Sequence, residues 1–305
     1  MTWAFDAALC ALILGVAFAT VLGRGVFRSI VFFIVYGLLM AVAWVRLDAV
    51  DVALAEAAIG AGLTGVLFLT AFGRLARNVS DDAAPGRFHL PAALACGGLT
   101  GALAWAWFAM PAPVRREWEL PPAGVENPVT AVLLNFRAWD TLLESIVLLA
   151  ALIGLWMMAR DGDWGDRLGL PQHVRPGGVM AGFGRLLPPV GFLVGVYLVY
   201  VGADQPGGAF QGGTVLAAVG LVAAMAGLVR PPRIAAHRWR VALVAGPSVF
   251  LVAGLAGAVL GAGFLTLPEP VAGTAIFVIE VGLAISIAVT LVFLVLGPPE
   301  GERRE

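Results

Sequence analysis

The chain has 305 residues, of which 60% are hydrophobic and 13% charged. A soluble domain averages about 45–50% apolar and about 25% charged residues, so the composition argues against a water-soluble globular fold. Nineteen basic against twenty acidic residues leave a net charge of -1, which supplies no basic footprint for nucleic acid.

A helical span needs about 20 mainly apolar residues to cross about 30 Å of hydrocarbon. Nine runs meet that requirement, roughly 4–22, 27–45, 50–73, 90–110, 140–159, 179–201, 209–229, 241–263 and 271–297. Such runs show no alternation, and in lipid every backbone polar group has to be satisfied within its own segment, so they predict helices. The expected fold is an all-α integral membrane protein of about nine transmembrane helices. The first run has Asp6 and no basic residue in its flank, and no small-residue cleavage site, so it reads as a span and not as a cleaved signal peptide.

All the basic residues are arginines, and their distribution predicts orientation. With the N-terminus outside, the inner segments carry fifteen of them and the outer segments only Arg46, Arg115, Arg116 and Arg137. That bias predicts an N-out, C-in topology.

Two longer polar connections interrupt the spans. Residues 110–139 are rich in proline and charge and predict an outer loop with one short interfacial piece. Residues 160–175 are polar and dotted with glycine, and predict an inner linker. The expected domains are a four-helix region at 1–110, a loop plus one helix at 111–160, the linker at 161–178 and a four-helix unit at 179–305.

Carboxylates inside spans are costly and usually face protein or a water path. Glu56 lies about a turn and a half into the third span, Asp140 and Glu144 share one face at the start of the fifth, and Glu280 sits near the middle of the last. Arg137 is placed to pair with Asp140, whose position in the first turn also suits the helix dipole. Asp51 reads as a solvated cap at the third span. Glu56 and Glu280 have no basic residue nearby in sequence. Together with Asp140 and Glu144 they are the candidates for an ion or proton path, with a hydrogen-bonded strut between helices as the plainer alternative for Glu280.

Residues 202–213 (GADQPGGAFQGG) join two spans with almost no polar linker. Their glycines and Pro206 predict irregular backbone closely approached by something else. Gly97 with Gly101 and Gly257 with Gly261 are spaced for close helix packing, within this chain or with a partner. Trp105, Trp107, Trp118, Trp139, Trp156, Trp164 and Trp239 read as interfacial belt residues. Cys10 and Cys96 each lie in an apolar run, and the three histidines fall in separate polar connections, so no disulfide, metal site or cofactor is expected. Ser145, Ser248 and Ser286 lie in apolar helices with no histidine in a local motif, so no enzyme active site is expected.

Three stretches resemble a known family. PGGAFQGGTVLAA (Pro206 to Ala218), followed by FVIEVGLAISI (Phe277 to Ile287), resembles the B subunit of Mrp-type multisubunit cation/proton antiporters. VDVALAEAAIGAGL (Val50 to Leu63) is similar to the C-terminal part of the large A subunit, a region shared with the hydrogenase D subunit of membrane-bound complexes. NPVTAVLLNFRAWDTLLES (Asn127 to Ser145) is similar to the segment that follows it, shared with the hydrogenase E subunit.

The resemblance implies a fusion of the A-subunit tail with the B subunit. It implies a non-enzymatic component of the bacterial inner membrane, moving Na+ and H+ beside large antiporter-like and small helical subunits. On matching positions it implicates Glu56, Asp140, Glu144 and a Gly-rich loop of Pro206, Gly207, Gly208, Phe210, Gln211, Gly212 and Gly213. Where the family loop carries a histidine this chain has Ala203 and Asp204, so Asp204 is the residue left to inherit that role. The loop's third glycine is here Ala209. These residues contain no lysine and no counterpart of the large antiporter-like domain. The alternatives to an ion-path role are a purely structural role, and membership of a hydrogenase-like redox-driven ion pump.

Overall fold

The computed structural model describes residues 2–23, 25–75, 90–111, 123–159, 164–169, 178–260 and 263–300. It is a bundle of helices: α1 (Thr2–Leu22), α2 (Val26–Arg46), α3 (Val50–Ala55), the π-helical segment π1 (Glu56–Leu63), α4 (Thr64–Leu75) and α5 (Leu90–Ala109). There follow α6 (Pro128–Ala131), π2 (Val132–Phe136), α7 (Ala138–Met157), α8 (Val179–Val201), α9 (Ala209–Met225), α10 (His237–Val259) and α11 (Glu269–Leu296). Eight helical stretches are long and apolar enough to span a membrane, with α3, π1 and α4 joined into one from Val50 to Gly73. The protein is an all-α integral membrane protein.

The ninth predicted span, at 209–229, is helix α9 of 17 residues, shorter than the sequence suggests. At about 1.5 Å per residue it rises about 25 Å, at the low end of a membrane crossing. Gly184, near the start of α8, lies against Ala226 just beyond the end of α9, while Gly208 N–H donates to Leu198 O at the other end. The two helices therefore run antiparallel along nearly their whole length.

α11 is the central helix, with half of its residues buried. Its buried stripe Ile276, Glu280, Leu283, Ile287 and Leu291 follows helical spacing, so Glu280 occupies a position that apolar side chains fill above and below it. α9, α10 and α7 pack on α11. α1 and α2 pack on each other, and Arg46 at the end of α2 makes a two-pronged ion pair with Asp6 of α1, at 2.8 and 3.1 Å. α2 meets π1 and the start of α4, where Gly37 faces Ala61 and Ile34 faces Gly65. α5 buries none of its residues, and Gly97 and Gly101 look onto open space, so the described residues supply nothing for them to pack against. Gly257 does pack closely, against the Thr266 backbone, while Gly261 lies outside the described residues.

Two features lie beyond the hydrophobic pattern. Part of the segment read as a polar linker is strand β1 (Trp164–Leu168), which pairs antiparallel with β2 (Pro299–Glu300). Its Leu168 is fully buried, against a cluster that includes Leu152 and Phe293. Trp156 and Trp239, expected in an interfacial belt, both stack near Phe293 at 6.1 Å, so they belong to that cluster. Trp118 lies outside the described residues.

The ends of the helices gather into two sets. Residues 164–169, 230–234 and 297–300 meet at one end, where Arg233 pairs with Asp166 at 2.9 Å and Arg167 donates to Pro231 O. Residues 123–136, 202–208 and 263–273 meet at the other.

Candidate functional site

At this second end, short elements fold around the loop between α8 and α9. Asn127 opens α6 as its cap, accepting the Val129 N–H at 2.9 Å, with Pro128 at the first helical position, where its missing N–H costs nothing. The Asn127 side-chain amide then donates to Gly202 O at 3.2 Å and Gln205 O at 2.9 Å, and Thr130 Oγ1 donates to Gly202 O at 2.6 Å. Backbone N–H groups of Glu126 and Asn127 both donate to Ala203 O. The carbonyls freed where α8 stops are thus satisfied from the segment 126–130, as low-polarity surroundings require. This is the short piece expected within the outer loop, and it clamps the Gly-rich loop.

The irregular backbone is confined to 202–208. Ala209, Phe210, Gln211, Gly212 and Gly213, expected to be irregular as well, form the first turns of α9. Packing overrides the poor helix propensity of glycine: a Cβ on Gly212 would run into Val199 and Gly195 O of α8, and one on Gly213 into Ile287 and Ala284 O of α11. Within the loop, Gly208 is the residue whose conformation itself requires glycine, with a φ of +116.

Asp51 corrects the sequence reading. It is 9% exposed, not a solvated cap, and its Oδ1 accepts the Gly207 N–H at 3.0 Å. Gln211 Nε2 donates to Asp51 O at 3.3 Å. One residue of α3 therefore holds both the loop and the first turn of α9.

Glu280 is 2% exposed and faces its own chain. Its Oε1 lies beside the start of α9, where a Cβ on Gly208 would come within 2.9 Å of it. Oε2 is buried with no hydrogen-bond partner among the described residues.

Glu280 shares a cavity of about 240 Å³ with Glu144, Asp51, Gln211, Thr130 and Gly207. The other walls are apolar, including Ile59, Leu133, Phe210 and Leu283, and among the described residues no basic side chain lines it. Of the four carboxylates singled out in the sequence, Glu144 and Glu280 meet here. Asp140 does not: it is exposed and paired with Arg137 at 2.7 Å. Glu56 opens π1 with its carboxyl folded over Gly60, and it is not among the residues lining this cavity. Asp204 and Pro206 are exposed on the outer side of the loop. Ser145 and Ser286 spend their hydroxyls on the Leu142 and Leu243 carbonyls.

Residues 11–77 match the MbhD family, the D component of MBH, and residues 179–298 match the domain related to the MnhB subunit of Na+/H+ antiporter. An uncharacterised protein of Methanocaldococcus jannaschii is 29% identical over 156 residues, covering 46% of this chain and 60% of that protein. A chain of the Mrp complex from a Dietzia species superposes with a TM-score of 0.70 at 26% identity, covering 98% of this chain and 35% of that one. A chain of the membrane-bound sulfane sulfur reductase, an archaeal respiratory membrane complex, shares the fold at a TM-score of 0.51 and 21% identity, covering 68% of this chain and 99% of that one. The chain thus spans less than two thirds of the curated relative and about a third of the Mrp-complex chain. With both family segments in order and a fold shared with a chain of the Mrp complex along nearly its whole length, the chain joins an MbhD-like to an MnhB-like region and is similar to a subunit of an Mrp-type antiporter.

Proposed function

We propose that the chain is a non-enzymatic part of a multisubunit Na+/H+ antiporter in a bacterial inner membrane, and that its carboxylates form part of the ion path. It would lie N-out, C-in beside large antiporter-like and small helical subunits. The observation that carries this reading is the cavity lined by Glu144 and Glu280 with no basic partner among the described residues of its wall. Glu280 is buried, and a buried charge without a partner is too costly to persist as such, so its carboxyl is held either protonated or neutralised by a cation, whereas Glu144 lines the same cavity from an exposed position. A carboxyl group can alternate between those two states, which is what exchange of a proton for Na+ requires. Glu56 in π1 is a separate candidate within the MbhD-like segment, and the Arg137 and Asp140 pair supports the entry of α7.

The test is to replace Glu144 and Glu280 singly by Gln in the assembled complex and to measure Na+-driven proton movement in everted vesicles. Each substitution is expected to lower antiport by about tenfold or more with the complex intact, the effect of about 1.4 kcal/mol. Unchanged antiport in both sinks the reading. The match of residues 11–77 to the MBH family favours a second reading, membership of a redox-driven ion pump. Co-purification of metal-bearing redox subunits in place of antiporter-like subunits would select it.

A further inference from the structure

The end of the bundle opposite the cavity carries a different chemistry. There β1 lies against the α9–α10 connection: Arg167 and Arg233 face each other in an antiparallel bridge, Leu168 N–H donates to Pro232 O, and Ile234 N–H donates to Asp166 O. That pairing gathers arginines from distant parts of the chain. Arg167 comes from β1, Arg230 and Arg233 from the connection, and Arg238 and Arg240 from the first turn of α10. Arg185 joins them from α8, next to Gly184, which lies against Ala226 and Leu228. Opposite these six guanidinium groups the described residues of this end set two acidic residues, Asp166 and Glu300, and Asp166 is taken by Arg233 at 2.9 Å. The adjoining stretches 160–163, 170–177 and 301–305 add four arginines and four acidic residues, so their formal charges cancel.

The positive charge is therefore uncompensated, and much of it is free to act outward. The side chains of Arg230 and Arg238 are exposed and make no hydrogen bond or ion pair among the described residues, while Arg238 stands over the Trp239 ring at 5.2 Å. Arg167 and Arg240 each spend one nitrogen on a backbone carbonyl, Pro231 O at 2.8 Å and Ile234 O at 3.2 Å, and keep their other N–H groups. Exposed apolar side chains border the charges along the chain, Leu228 and Val229 just before Arg230, and Val241 and Val244 just after Arg240. The complement of such a surface carries phosphate at one end and hydrocarbon at the other.

We propose that Arg167, Arg230, Arg238 and Arg240 form a docking surface for an anionic phospholipid, which they hold by its phosphate. Guanidinium groups present paired N–H donors that match phosphate oxygens. Basic clusters at the ends of membrane helices attract anionic lipids, and a zwitterionic headgroup brings an ammonium that the uncompensated arginines repel, so a net negative lipid is selected. β1 holds the connection in place and so fixes where the arginines stand. The surface lies at the far end of the bundle from Glu144 and Glu280, so the inference goes beyond the ion path and stands whichever ion pump the chain serves.

The experiment strips the purified complex of lipid in detergent and titrates it with phosphatidylglycerol or phosphatidylcholine of the same acyl chains, reading lipid bound per complex by native mass spectrometry. It compares the unsubstituted complex, the pair Arg230→Gln with Arg238→Gln, and Arg28→Gln, an exposed arginine on α2 outside this cluster. Phosphatidylglycerol is expected to bind the unsubstituted complex about tenfold or more tightly than phosphatidylcholine, with that preference cut about tenfold in R230Q/R238Q and kept in R28Q. An unchanged preference in R230Q/R238Q overturns the proposal, and so does an equal reduction in R28Q, which would mark a diffuse effect of charge. Inorganic phosphate binding as tightly as the lipid would assign the surface to a free anion and likewise overturn it. Should the Gln pair fail to assemble, R230K/R238K keeps both charges and is expected to assemble with weaker phosphatidylglycerol binding, because lysine lacks the paired donors; undiminished binding in that variant contradicts the site.

Discussion

At the scale of single residues, the site depends on where two carboxylates end up. Glu280 is legible from the sequence because an acidic residue inside a long apolar run has few bland explanations. Asp51 is not, because its role is set by Gly207, 156 residues away, and nothing in VDVALAEA distinguishes a buried acceptor from a solvated cap. Asp140 and Arg137 are legible as a local pair, three residues apart on one helix turn. Gly208 yields a direct prediction: its φ of +116 and the nearness of Glu280 Oε1 leave no room for a Cβ. Gly208→Ala is expected to destabilise the assembled protein by more than about 1 kcal/mol, the cost of placing Ala where φ is positive. A thermal melt of the detergent-purified complex measures this, and an unchanged midpoint would show that the loop relaxes around the methyl group.

Among elements, length and hydropathy reveal the long helices, and tertiary contacts decide the rest. The π-helical segments π1 and π2 leave no hydrophobic signature. π1 is rich in small residues, and Thr64 Oγ1 donates to Ile59 O at 2.9 Å, satisfying a carbonyl in the widened turn. β1 is hidden in the sequence because its partner strand is two residues long and lies 131 positions later, counted from Leu168 to Pro299. The four-residue α6 matters beyond its length, since Asn127 at its start caps the helix and clamps Gly202 and Gln205. Asn127→Ala removes that cap and takes the side-chain donor from Gln205 O, while Gly202 O keeps Thr130 Oγ1. An expected loss of about 1–3 kcal/mol follows from the unsatisfied groups, read as a lowered melting midpoint of the complex. Antiport should fall with it, because the loop that positions Gly208 against Glu280 loses its tether. A variant with unaltered stability and antiport would mean that the clamp is dispensable.

For the whole molecule, alternation of helices α7 to α11 agrees with the two sets of ends that meet among the described residues, and the arginine bias would assign a side to each. Residues near Arg230 and Arg233 would face the cytoplasm, and Asp48 would face outward. A protein with Cys10 and Cys96 replaced by Ala, and a single cysteine at Asp48 or at Arg230, tests this with a membrane-impermeant thiol reagent. Labelling of D48C in intact cells and of R230C only in everted vesicles is expected; the reverse pattern would invert the topology. The uncovered α5 fits a chain that meets other membrane subunits, as in the multisubunit complexes whose chains share its fold.

If the buried carboxyl at Glu280 exchanges ions as part of antiport, Na+-driven proton movement in the native complex separates E280Q from E280D. Near-complete loss is expected in E280Q and partial activity in E280D, in complexes that assemble normally. Full activity in E280Q would contradict that role.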